Sequence, residues 1–373
     1  MFLHFPFNQR RLVTSLSLAA GLLFHSIQSG HAQYVGLDLT NGLVQVEGDI
    51  ITTPERAAAL LGQSSAGVHP NFSYAPSRLW PNGIVPFDYD AGITIPQRNY
   101  IVAAMSAWAN SFPGTATLSF IPRSNESAYI HFFSTSVTNL GFSGGSTDNV
   151  GYDGGVVTIT ISSDSSISNV FLIAHEVGHA LGLWHEQSRD DRDSYITILT
   201  GNIQNGFASQ FVKKSPESTF GAYDYDSIMQ YPACAFSQCN GQAPNPSCAC
   251  ADNNCITMLT VYSAQQCNIG QQNHLSAMDM RSMGFMYGPS AWKFLYVKSG
   301  SAADGSFQQP YNSMAQAAAN MPANSTLWIG PGNFAAAGLT ITTPMTLKSA
   351  IPDLQLQADG SLGPSASGYS TLH

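Results

Sequence analysis

Apolar positions along the chain predict a set of short elements rather than one long repeat. Trp80-Pro81-Asn82-Gly83 reads as a turn, and the apolar run at 84–87 after it reads as a strand. Pro96 opens a helix where its missing N–H costs nothing, and Ile101, Met105, Trp108 and Phe112 recur at helical spacing as one buried stripe. Residues 116–121 and 129–133 alternate or run apolar as strands. The β-branched run 156–161, Val-Val-Thr-Ile-Thr-Ile, is the clearest strand of the chain. A second helix is expected over 169–181, capped by Ser166 or Ser168 and ended by Gly182. Beyond Asp191 the pattern is mixed, with helical stretches expected around 202–212 and 276–286. Residues 290–373 differ again. They are poor in charge and rich in Ala, Gly, Ser and Thr, with short strands at 327–329 and 339–341.

The first residues carry a different pattern. Arg10 and Arg11 precede an apolar stretch at 12–24, and small residues follow at Gly30 and Ala32. That order is an export signal, expected over 1–32. The competing reading is a membrane anchor, but the run is short for a span and no other run of roughly 18 apolar residues exists. Residues 33–75 are weakly patterned and suit a pro-segment. All six cysteines fall between Cys234 and Cys267. In an exported chain they read as three disulfides whose pairing is open; a second zinc site around Cys248, Cys250 and Cys255 is the alternative. The formal net charge of −9 argues against nucleic acid and anionic membrane as partners, since both attract basic surfaces.

The chemistry concentrates in His175-Glu176-Val177-Gly178-His179. Residues four apart share a helical face, so both imidazoles reach one ion, with the Glu176 carboxylate beside them to take a proton from water. A chance match on a buried helix is the competing reading for this pattern alone. Gly182 then permits a sharp turn that returns His185 to the same ion. Three imidazoles leave one position open, the arrangement of a catalytic rather than a structural zinc site. Further on, Met229 is either core filler or a methionine turn beneath the metal, and Tyr231 follows it.

These residues closely resemble the astacin family of metzincin proteases. The match runs from His175 through His185-Glu186 to Asp193, and again over Tyr223-Asp224-Tyr225-Asp226-Ser227-Ile228-Met229. Trp80 to Pro86 is similar to the start of the mature domain, and 269–287 to the C-terminal helix. The resemblance implies an α+β, zincin-like protease of two subdomains with a twisted mixed sheet and an active-site helix, over 76–289. A Cys-rich insertion lies at 234–267, and a small β-rich tail at 290–373. That tail resembles the opening turns of a parallel β-helix, either truncated or docked as an appendage. It further implies one zinc per chain held by His175, His179 and His185, and Glu176 as general base. Tyr231 would be a fifth ligand that swings to stabilise the oxyanion. Glu186 would receive the mature N-terminus, with Met229 beneath the metal. Substrate, a protein or peptide, would lie extended along a strand near 146–152. Val46-Glu47-Gly48-Asp49 resembles the family's pro-segment motif, with Val46 where Phe is usual, which makes Asp49 a zinc ligand of a latent precursor; an ordinary turn is the alternative. Gln230 replaces the usual histidine. The expected function is a secreted zinc endopeptidase, membrane-free once the signal is cut. The alternative is a non-catalytic binding protein with a glycan-binding tail.

Overall fold

The computed structural model describes residues 42–61, 78–111, 118–136, 144–162, 169–214, 223–239, 255–288, 292–295, 310–329 and 342–349, with short strands and single positions besides. The expected export signal at 1–32, Cys248 and most of 62–77 lie outside the described residues. Among the described residues no helix is long and apolar enough to cross a membrane.

The central unit is a twisted mixed sheet with helices against it. Its strands are β1 (Leu37–Asp38), β2 (Val44–Glu47), β3 (Ile50–Thr52), β4 (Ile84–Tyr89), β5 (Ser119–Pro122), β6 (Tyr129–Thr135), β7 (Gly145–Thr147) and β8 (Val156–Ser162). They lie in the order β1-β2-β3-β7-β8-β6-β4-β5. β8 pairs parallel to β6 over its full length and antiparallel to β7. Its Val157, Ile159 and Ile161 face the core while Val156, Thr158 and Thr160 on the other face are half-buried, the alternation of a strand covered fully on one side. The strand expected near 146–152 is β7, only three residues long, and it carries β3 of the upstream segment, paired in parallel at Ile50 and Thr147.

Two helices fill the core behind the sheet. α1 (Pro54–Leu61) belongs to the upstream segment. α2 (Ile95–Ala109) starts at Thr94, whose capping box with Gln97 satisfies free N–H groups. Its stripe Ile101, Ala104, Met105 and Trp108 is buried against α3 (Val170–Ala180), and the Trp108 indole donates to the Ala174 carbonyl at 2.7 Å. Asn169, not Ser166 or Ser168, caps α3, its Oδ1 accepting from Phe171 N. A side-chain amide in the last non-helical position does the same work as a hydroxyl.

The lower part, after α3, is mostly turns. The helix expected at 202–212 is two separate 3-10 turns, Thr200–Asn202 and Ala208–Phe211; Gly206 at φ +91° between them breaks the α-helical path. β9 (Ile196–Ile198) pairs with β10 (Met258–Thr260). Cys239 and Cys255 form a disulfide, and Cys234 and Cys267 are also disulfide-bonded. No described cysteine is free. α4 (Ala277–Met286), capped by Ser276, closes the unit where the sequence places a helix. The tail then adds β11 (Trp292–Leu295), α5 (Met314–Asn320), β12 (Ser325–Ile329) and β13 (Met345–Ser349), the three strands parallel and in register.

Candidate functional site

α3 carries His175, Glu176 and His179 on its buried face. Gly182, at φ +108°, ends it. L side chains rarely adopt that conformation, so glycine is what lets the chain fold back. The turn is closed by Gly182 N and Leu183 N donating to the carbonyls of His179 and Gly178. It delivers His185 to the same point. The Nε2 atoms of His175 and His179 lie 3.2 and 3.3 Å from that of His185. Asp49 completes the cluster from the upstream segment. Its carboxylate oxygens stand 3.0 Å from His175 Nε2, 3.2 Å from His179 Nε2 and 3.2 Å from His185 Nε2. One ligand atom from each of the four falls within 4.8 Å of the others, and all four residues are buried.

The outward Nδ1 atoms explain why the rings face this way. His175 Nδ1 donates to the Ile228 carbonyl and His179 Nδ1 to the Leu183 carbonyl, each at 2.7 Å. A donor on Nδ1 leaves Nε2 as the lone-pair atom. His185 differs, because its Nδ1 faces the Glu47 carboxylate at 3.1 Å. Glu47 also takes a short hydrogen bond from the Ser188 hydroxyl.

Beneath the histidines, Met229 packs against α3. A Cβ at Gly178 would lie 2.8 Å from Met229 Sδ, so the glycine of the motif is required by the methionine. Asp279 of α4 fixes this turn by accepting from Ser227 Oγ and Ile228 N. Glu176 projects to the other side. Its Oε2 accepts from the Thr147 hydroxyl at 2.8 Å, and a Cβ at Gly145 would meet its Cγ at 2.7 Å. Strand β7 can therefore pass the carboxylate only as glycine at that point.

Tyr231 lies against His185, ring centroids 4.3 Å apart and planes tilted by 59°. Its hydroxyl is buried with no hydrogen-bond partner and lies against Gly48, where a Cβ would come within 2.1 Å of it. Glu186 accepts from Arg189 at 3.0 Å and from Asp224 N at 2.9 Å. Burial pushes the Glu186 carboxyl up to about 7, against the pull of Arg189.

The protonation pattern follows from packing so many groups together. Burial would raise Asp49, but the charges of His185 and His175 outweigh it and hold the carboxyl well below the usual range. Glu176 is pushed well above its usual value by burial and then by the Asp49 charge. Burial lowers His175, yet the Asp49 charge reverses this and lifts it to about 9, while burial and the His185 charge bring His179 down to about 4. Burial, with Glu47 and Asp49, keeps the Tyr231 phenol protonated.

These residues fit a divalent cation. Asp49 Oδ1 and the Tyr231 hydroxyl are buried without a hydrogen-bond partner, and three imidazole nitrogens converge where they point. The donor set, three nitrogens and a carboxylate oxygen, suits zinc. The structure brings Asp49 to the three histidines, with Glu176 and Tyr231 beside them and Met229 beneath, while Glu186 lies apart with Arg189 and Asp224. It adds three that the sequence reading missed: Glu47, Thr147 and Gly145. The Gly144-Gly145 pair before Thr147 was a readable signal of close backbone approach. Glu47 and Thr147 gave none.

The family model for Astacin, a peptidase family, matches residues 72–288. Zinc metalloproteinase nas-14 of Caenorhabditis elegans is 32% identical over 260 residues, which are 65% of this chain and 46% of that protein. Nematocyst expressed protein 6 of Nematostella vectensis is 31% identical over 252 residues, 66% of this chain and 78% of that one. The chain spans less than half the length of nas-14. Among solved structures, High choriolytic enzyme 1, a hatching enzyme zinc-protease from Oryzias latipes, is 28% identical, covering 57% of this chain and 96% of that chain with a TM-score of 0.46.

Proposed function

The chain belongs to the astacin family, and from that premise we propose that it is a secreted zinc endopeptidase made as a latent precursor. The observation that carries this reading is the convergence of His175, His179 and His185 beside Glu176. His175, His179 and His185 would hold the ion through Nε2. Zinc bound there supplies Lewis-acid polarisation of a scissile carbonyl and a water of lowered pKa.

The chain's own groups do the rest. Glu176 takes the proton of the attacking water and later gives it to the leaving amine, steered by the Thr147 hydroxyl on its Oε2. Tyr231, a protonated phenol, donates to the oxyanion of the tetrahedral intermediate. An extended peptide lies along β7, where β3 lies in this structure.

Latency rests on two features of the upstream segment. β3 fills the peptide's place, and Asp49 fills the position facing the histidines. Loss of Asp49 therefore clears the site. Residues 33–75 are then the pro-segment and 76–289 the catalytic unit, with Glu186 receiving the new N-terminus. The disulfides suit an oxidising, extracellular compartment.

Mature Glu176→Gln, assayed on casein or a peptide and checked for bound zinc, tests the reading. We expect zinc to be retained and turnover to fall by roughly 10²–10⁴-fold; full activity, or activity untouched by a chelator in wild type, overturns it.

A further inference from the structure

The three histidines are not oriented alike. His175 and His179 are held by carbonyls of the catalytic unit itself, Ile228 and Leu183. His185 Nδ1 instead faces Glu47 of the upstream segment, at 3.1 Å. Both side chains are fully buried, so no bulk water competes for either. Neither His185 Nδ1 nor Glu47 Oε2 has a hydrogen-bond partner, so the two buried atoms face each other as an unsatisfied pair.

Glu47 is also held in place. Ser188, on the turn that follows His185, donates to its other oxygen. On either side, the Val46 carbonyl accepts from Lys214 Nζ at 3.5 Å, and Gly48 N donates to Gln210 Oε1 at 2.5 Å. All three anchors, Ser188, Lys214 and Gln210, are buried residues of the catalytic unit. A carboxylate on the outer nitrogen of a ligand histidine fixes its tautomer and makes it a better donor. Charge gives a second argument. Three neutral imidazoles leave a dication's charge of two uncompensated in a buried site, and Asp49 offsets one unit of it. Glu47 is a second carboxylate that the upstream segment brings to the same buried cluster.

We propose that Glu47 is a metal-retaining residue of the precursor: it positions His185 and completes the neutralisation of the ion, so that the upstream segment strengthens zinc binding as well as blocking the cleft. Glu47 touches neither substrate nor metal and acts through His185. This rests on the latency reading only for the statement that the segment later leaves. Its removal then takes away the Nδ1 partner of one ligand out of three.

The test compares full-length wild-type and Glu47→Gln precursors, each stripped of metal and titrated with zinc against a fluorescent chelator. The variant should bind zinc about 10–100-fold more weakly, the usual loss for an outer partner of a ligand histidine. In the metal-free state it should melt no lower than wild type, because a buried carboxylate has been removed, which separates the effect from a folding defect. Cleaved samples of the two precursors yield the same mature sequence and should bind zinc equally. Unchanged zinc affinity of the Glu47→Gln precursor overturns the proposal. A measurement on unaltered protein stands beside it. Zinc-loaded wild-type precursor should show slowly exchanging imidazole Nδ1–H resonances for all three histidines, one of which shifts or disappears on cleavage; if cleavage moves none, the proposal also fails. Latency is read separately, by peptide hydrolysis of the uncut Asp49→Ala precursor, so its failure would leave the zinc affinities intact.

Discussion

Two segments flank the catalytic unit, and each lays β-structure against it by different physics. The upstream segment docks through a small apolar set, Val44, Val46, Ile50, Ala57 and Leu60 against Val150 and Trp184. Its decisive contacts are polar: Asp49 and Glu47 on the histidines, and Arg56 on Asp148 and Asp153. The downstream tail docks through aromatic burial. Phe294 and Trp328 join the main core, their rings 5.8 and 5.2 Å from that of Phe285 on α4. Charged contacts can be undone by one cut, one proton or one ion. Aromatic contacts inside the main core can be undone only by damaging it. The upstream segment is thus held mainly by polar contacts and the tail by apolar ones.

The largest effect expected from this contrast is in the tail. Every catalytic residue expected from the sequence precedes the tail, which is expected there as a truncated or docked appendage. The structure instead joins two of its aromatics to the core. Trp328→Ala should cost about 3–5 kcal/mol and lower the Tm of the mature protein by roughly 10 °C. A chain ending at Pro289 should lose at least as much, because Phe285 is then uncovered as well. Thermal unfolding with zinc present checks both, and an unchanged Tm would return the tail to the status of an independent appendage.

The second effect is at the polar end. Uncut Asp49→Ala precursor should hydrolyse a peptide at least about 10-fold faster than uncut wild type, because a tethered ligand is lost from the position needed by the attacking water. Gly48→Ala should do the same by another route: its Cβ would strike the Tyr231 hydroxyl, and φ of +42° is strained for alanine. Gels must show that neither was processed. Equal, negligible rates in both would mean that β3 alone closes the cleft.

This contrast also marks what could be read in the sequence. The metal cluster was legible because helical periodicity and one glycine fix it locally: His175 and His179 need only the α3 repeat, and His185 needs only Gly182. Met229 was legible through its motif, and α2 through its apolar stripe. Contacts that depend on a distant segment were not. Nothing in the sequence near Glu47 points to Ser188 or His185, which lie more than a hundred positions along, and nothing near Trp328 points to Phe285. The helix expected at 202–212 failed for a local reason, since apolar spacing cannot offset Gly206 in a left-handed conformation. The cap of α3 fell on Asn169 rather than Ser166 or Ser168, since serine and asparagine are both competent caps and the sequence offers all three.

The smallest effect tests whether the upstream docking is polar in more than its active-site contacts. Arg56 sits on α1 and spans three acceptors. Nη1 meets Asp148 Oδ2 at 2.7 Å, Nε meets Asp153 Oδ2 at 3.2 Å, and Nη2 donates to the Val156 carbonyl at 2.6 Å. Both carboxylates are pre-set, because Asp148 Oδ1 already accepts from Thr158 N and Asp153 Oδ1 from Gly155 N. The guanidinium therefore enters an ordered cradle and loses little on forming the pair. It remains about a quarter exposed, so solvent screens it, and the contribution stays near the upper end of surface pairs, about 1 kcal/mol. Uncut Arg56→Ala precursor should leak activity about 5-fold above wild type at low salt. Raising the salt should bring wild type up toward the variant while moving the variant little, since the Debye length shrinks from about 10 Å at 0.1 M to about 3 Å at 1 M. Arg56→Lys should fall between them, because an ammonium cannot fork across three acceptors. If Arg56→Ala stays as silent as wild type at every salt concentration, the docking away from the histidines rests on Val46, Ile50 and Leu60, and the two flanking segments differ only at the metal.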